Sequence, residues 1–344
     1  MGHDPDAVND AQMDALIRGL DPLRELKTDE PLTLREQATL QRIMAQPQQR
    51  ASSPASVSAR RNLPLVLSMA VTAVVAMIAI VLVWPPATPR AVALTPPPLQ
   101  FSSSSQPIGE VVSMAQRMLT NGHHSAPAAE RKVSSLGWYL QMDHLPSGGT
   151  SSVIAPQIID LTWQADGSGH EVITAGVPYL ADGSTPPDPD LAPAVGSQLS
   201  ETTYPAGGFG SPIDHIPGNT EADVRELLSA YWSPVAADPS ASDIITAVSN
   251  AFGSWTLTDE QHAHILTMLA SAPGATVAGA AVDRAGRDVT VIAADSTTNP
   301  DFRQLLLISN ETGRIVGTED VRLTPLGDLL PAGAVTSYTL WETR

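Results

Sequence analysis

Leu63 to Trp84 reads LPLVLSMAVTAVVAMIAIVLVW, a run of 22 residues without a charged side chain. At 1.5 Å per residue a helix of that length measures about 33 Å, which matches a hydrocarbon core of about 30 Å. Inside a bilayer every backbone polar group must be paired within the segment, so the run is predicted to be one transmembrane helix. Pro64 falls in the first turn, where its missing N–H costs nothing; Trp84 sits at the far end as an interfacial aromatic, and Pro85 and Pro86 stop the helix. Arg50, Arg60 and Arg61 precede the run and only Arg90 follows it closely, which predicts a cytoplasmic N-terminus and an extracytoplasmic C-terminal part. A cleaved signal peptide ending near Ala91-Val92-Ala93 is the rival reading. It would require a leader region of 62 residues ahead of the apolar run, and that run exceeds the usual length of about 7–15.

The span divides the chain into a cytoplasmic segment (1–62), the transmembrane helix (63–84), a Pro/Ser-rich linker (85–106) and an extracytoplasmic domain (107–344). The linker, with PPATP, TPPP and SSSS, is expected to be extended and to lift the domain off the membrane. Charge is divided just as unevenly. Eight basic and nine acidic residues precede the span, and eleven basic against 27 acidic residues follow it, a net of −16 outside. This balance disfavours nucleic acid as a direct partner, since phosphate binding needs clustered Lys and Arg. Cysteine is absent, which removes disulfides, thiolate metal sites and thiol nucleophiles.

The outer domain is predicted to be α+β: an initial helix, an antiparallel sheet and a three-helix insert. Ile108, Val111, Val112, Ala115, Met118 and Leu119 recur at helical spacing. Strands are expected from Gly137 onward, then two joined by Asp166-Gly167-Ser168-Gly169, where Asp-Gly supplies a tight hairpin. Gly176 to Gly218 is rich in Pro, Gly, Asp and Ser and reads as one long loop. Three helices should follow, capped by Thr220, by Ser240 or Ser242, and by Thr258 with Gln261. TVAGAAVD, RDVTVIAAD, QLLLISN, RIVGTEDVRL and AVTSYTLWET then return to strands, with hairpin turns at Asp283–Gly286 and Asn310–Gly313.

No motif implies a catalytic residue, a metal site or a cofactor. A GxSxG nucleophile elbow, an HExxH pair and a P-loop are all missing from the sequence. His262 and His264, two apart on a helix, project to different faces and read as exposed or partly buried helix residues. His123 and His124 lie in a predicted loop, and Gly207-Gly208-Phe209-Gly210 reads as a flexible one. Trp138, Trp163, Trp232, Trp255 and Trp341 are expected mostly in the core, with a groove for an acyl chain or hydrophobic peptide as the competing use.

Inside the cell, Met13, Leu16, Ile17 and Leu20 form an apolar stripe at i, i+3, i+4 and i+7. Thr33 with Glu36 forms a capping-box pattern, and Leu40, Ile43 and Met44 lie on one face of the helix it starts. These seven apolar residues are the candidate partner-binding residues. A self-contained helical hairpin or disorder is the alternative, because short amphipathic helices are marginal alone.

Five stretches, DPLREL (Asp21 to Leu26), LQRIMA (Leu40 to Ala45), WQADGSGHE (Trp163 to Glu171), LASAPGATVAGAAVDRAGRDV (Leu269 to Val289) and LLLISNETGRIVGTE (Leu305 to Glu319), carry a resemblance. With them the chain resembles a family of actinobacterial single-span membrane proteins typically encoded beside extracytoplasmic-function sigma factors. The resemblance implies a non-catalytic, membrane-anchored envelope sensor or regulator whose cytoplasmic partner is a sigma factor or another regulator. It offers no catalytic residues to carry over. Leu136-Gly137-Trp138-Tyr139 after the initial helix is also similar to the entry into periplasmic sigma-regulator and lipoprotein-carrier domains, which implies a curved sheet. The alternative function on that likeness is a membrane-tethered module for a hydrophobic ligand or lipoprotein.

Overall fold

The computed structural model describes residues 94–102, 106–121, 128–140, 153–231, 238–327 and 329–342, all within one compact unit. The apolar run at 63–84 and the candidate partner-binding residues Met13, Leu16, Ile17, Leu20, Leu40, Ile43 and Met44 lie outside the described residues, as do His123, His124, His144 and Trp232. Among the described residues no helix is long and apolar enough to cross a membrane.

Nine strands form one antiparallel sheet in the order β4-β3-β2-β1-β9-β8-β7-β6-β5. They are β1 (Lys132–Tyr139), β2 (Gln157–Trp163), β3 (Gly169–Ala175), β4 (Gln198–Tyr204), β5 (Thr276–Val282), β6 (Asp288–Asp295), β7 (Phe302–Ser309), β8 (Ile315–Arg322) and β9 (Val335–Trp341). Helix α1 (Ile108–Asn121) precedes the sheet, and α2 (Glu221–Tyr231), α3 (Ala241–Ala251) and α4 (Asp259–Ser271) are inserted between β4 and β5. The last strand pairs with the first, Trp138 facing Tyr338, and so joins two meanders into a single sheet. Bulges interrupt four ladders, at Ile173/Thr174, Val277/Gly279, Leu307/Ile308 and Asp320/Val321. Each bends its strand and increases the local twist.

The helices cover one face of the β6–β9 half. Val112, Ala115 and Leu119 of α1, Leu227 and Leu228 of α2, Ile244, Ile245 and Val248 of α3, and Ile265, Leu266 and Leu269 of α4 pack with Ile292, Leu306, Ile308, Ile315 and Trp341. On the opposite face Val289, Val291, Leu305, Leu307, Val316, Tyr338, Leu340 and Trp138 form a second core. Burial on both faces explains the unbroken apolar runs VIAA of β6 and LLLI of β7, which do not alternate. Trp138, Trp163, Trp255 and Trp341 are all buried in these two cores.

Helix starts follow their capping residues. Ser240 and Thr258 each accept from the backbone N–H three residues on, and Asp243 and Gln261 reciprocate, completing two capping boxes. Thr220 bonds Asp223 in the same manner ahead of α2.

Several expectations change. The strand expected from Gly137 begins at Lys132. The long loop at Gly176–Gly218 contains β4, which is concealed in the sequence because QLSETTY sits at the sheet edge, largely exposed, and needs no apolar alternation. Gly207 to Phe209 is a packed turn: the Gly207 and Phe209 N–H groups donate to Asp166 and Gly167 carbonyls at 2.6 and 2.7 Å, and the Phe209 ring lies 5.2 Å from Trp163. Asp166 and Asp182 serve in turns, each accepting from the backbone and hydroxyl of the Ser two residues on.

Candidate functional site

The second face of the sheet is covered in part by the segment that follows the apolar run. Residues 94–102, nine of the 22 in the expected linker, run across it as a strap. Pro96 is buried, Leu99 packs against the second core, and the Ser102 N–H donates to the Ala280 carbonyl at 2.8 Å on the outer edge of β5. Gly279 makes that approach possible. Its φ is 138°, and a Cβ there would stand 2.2 Å from the Ser102 carbonyl oxygen, so a side chain would have to expel the strap.

A buried polar cluster fastens the strap from beneath. Arg284, in the β5–β6 turn, donates from Nε and Nη2 to the two carboxylate oxygens of Glu319 at 2.9 Å each, and from Nη2 to the Pro97 carbonyl at 3.0 Å. The guanidinium also lies 4.8 Å over the Tyr338 ring. Tyr179, from the β3–β4 connection, donates its hydroxyl to the Tyr338 hydroxyl at 3.2 Å, and Tyr338 stacks on Trp138 at 6.5 Å. The Glu319 side chain is 0% exposed. Burial raises its pKa, and the Arg284 guanidinium opposes that rise. Burial likewise raises the Tyr179 and Tyr338 hydroxyls, so both stay protonated.

The β5–β6 turn is fixed from its other side as well. Asp283 accepts from the Ala285 and Arg287 N–H groups and from the Arg287 guanidinium, which also reaches the Trp341 and Val316 carbonyls. Arg284 therefore projects from a rigid base. Fixed geometry of this kind suits a latch: a fully paired ion pair whose guanidinium has a donor left over for a main-chain carbonyl of the strap.

Among the described residues, no group of three His, Asp or Glu side chains is placed to hold a metal ion. His262 is wholly buried rather than exposed or half-buried. Its Nδ1 accepts the Ile315 N–H at 3.0 Å, and burial, with the Arg314 charge beside it, drives its pKa well below the usual value. It is a neutral structural acceptor between α4 and β8. His264 is half-buried, and His170 contacts Glu201 at 2.8 Å on the surface.

No protein-family model matches the chain, and no curated protein matches it. Among solved structures, a crystal structure of MucB aligns at 12% identity and a TM-score of 0.25, over 68% of this chain and 57% of that one. The likeness is too distant to argue from.

Proposed function

We propose that the chain is a membrane-anchored regulatory protein in which the strap couples the span to the outer domain. One observation carries the reading. The segment leaving the apolar run is stapled onto the sheet by Gly279, Arg284 and Glu319, so only residues 85–93 separate the predicted membrane exit from a packed strap. Nine residues reach about 28 Å as a polyproline helix and about 32 Å at full extension, which keeps the domain near the bilayer and ties the strap to the helix end. The cytoplasmic stripes Met13, Leu16, Ile17, Leu20 and Leu40, Ile43, Met44 are the surface for a sigma factor or another regulator. That assignment is supported by the sequence resemblance and by the stripes themselves. Nothing among the described residues favours the hydrophobic-ligand reading, since the four described outer tryptophans are spent in closed cores.

Photocrosslinkers at positions 16 and 43 in cells test the reading. Capture of one sigma factor or regulator at both sites, identified by mass spectrometry, is the expected result. Capture of lipid alone, or of nothing at normal expression, overturns it.

A further inference from the structure

The sheet has two edges, and the chain treats them differently. The β5 edge is met by Ser102 of the strap at Ala280. The β4 edge has no strand beyond it among the described residues. Gln164 and Ser168 form a hydrogen-bonded pair at the β2–β3 turn, and the Ala175 N–H donates to the Ser197 carbonyl. Counting the alternation from these points, Ser200, Thr202 and Tyr204 bond inward to β3, and the N–H and C=O of Glu201 and Thr203 point outward. Open edges are ordinarily blunted by charged side chains, Lys above all, by Pro or by bulges along the strand, and here the one charge is Glu201. QLSETTY contains no Lys or Pro, and its one bulge lies at its N-terminal end.

The chain segment that carries that edge is strongly of one sign. Residues 153–231 hold eleven carboxylates against a single Arg, Arg225, and no Lys, a net of −10. Glu201 lies on the strand itself and is exposed, as are Leu199 two residues before it, Val195 ahead of the strand and Val177 just past the end of β3. Two such edges would repel each other, which argues against a second copy of this chain as the occupant. An anionic lipid surface is repelled for the same reason.

The geometry points to β4 as a strand-addition site for an extended, basic peptide segment of a partner protein. Main-chain hydrogen bonds from Glu201 and Thr203 supply the register, Leu199 an apolar contact, and the carboxylates the preference for Lys or Arg at alternate positions. The site is separate from the strap and does not depend on its role.

The test is fluorescence anisotropy with the full-length chain in neutral detergent and a labelled Lys-Val-Lys-Val-Lys-Val-Lys peptide. Its Glu-for-Lys counterpart should bind at least tenfold more weakly, and so should a version N-methylated at every residue, which has no N–H left to donate along either edge. Thr203→Pro, which removes an outward N–H, should weaken binding tenfold with an unchanged thermal transition. Glu201→Lys, a surface change, should weaken it at least threefold and locates the site even if Thr203→Pro misfolds. Absence of binding, equal binding of the methylated and plain peptides, or indifference to Glu201→Lys overturns the proposal.

Discussion

Arg284→Ala should be among the most damaging single changes in the sheet domain, and its cost should depend on pH. The substitution removes both fork hydrogen bonds to Glu319 and the one to Pro97, and leaves a carboxylate with 0% exposure facing no cation. Breaking a buried pair from one side costs about 3–5 kcal/mol. In a domain of this size each kcal/mol moves the midpoint by about 2–4 °C, which gives a fall of about 6–20 °C. Glu319 has one escape, which is to take up a proton. Burial already raises its pKa, and loss of Arg284 raises it further, since that guanidinium is the main group opposing the rise. Keeping it protonated costs about 1.4 kcal/mol for each pH unit above its new pKa, so the penalty should shrink as pH falls from 8 to 5. Tryptophan fluorescence melts of the full chain in detergent at several pH values measure this. The double change Arg284→Met with Glu319→Leu should recover most of the stability, because an apolar pair of similar volume replaces an ion pair at little cost. It should not recover the contact to Pro97. A pH-independent loss, or a double variant no more stable than Arg284→Ala, refutes the account.

Gly279→Ala should expel the strap, since its Cβ would meet the Ser102 carbonyl; with Leu99→Cys as the sole thiol in a Cys-free chain, maleimide labelling should speed up at least tenfold. His262 has its folded pKa depressed, so its contribution is complete above the unfolded value of about 6.5 and is lost as pH falls below it; His262→Gln, which keeps an acceptor for Ile315, should flatten the stability–pH curve between about 6.5 and 5. Thr258→Ala removes one arm of a capping box and should cost about 1 kcal/mol by denaturant titration, against nearly nothing for an exposed control such as Thr120→Ala.

The helices and most strands were legible because their signals are local. Thr258 with Gln261, Ser240 with Asp243 and the Asp166-Gly167 turn each require only neighbours a few residues away, and each does what its residue type predicts. The edge strand β4 was hidden for the opposite reason. With little buried on either face, nothing imposes an apolar alternation on Gln198–Tyr204, and composition alone cannot separate it from the polar loop around it.

The strap and its latch were illegible for a more specific reason. Pro97, Tyr179, Arg284, Glu319 and Tyr338 come from five separate segments, and no spacing rule relates them. Strand periodicity would mislead even for Glu319 alone. Counting by twos from Ile315, which packs under the helices, places Glu319 on the helix-covered face. The β7–β8 ladder pairs Leu307 with Gly317 and Ile308 with Ile315, leaving Val316 as the extra residue. That bulge reverses the alternation, so Gly317 and Glu319 face the second core, and Glu319 meets Arg284 there rather than the helices. A one-residue irregularity in RIVGTEDVRL thus decides which face carries the charge, and with it whether the Pro-rich segment hangs free or is latched. Deleting Val316 should, on this account, leave a regular ladder with Ile315 still under the helices and Glu319 still on the second-core face, so the Arg284 contact and the latched strap should survive; loss of the latch in that variant would refute it.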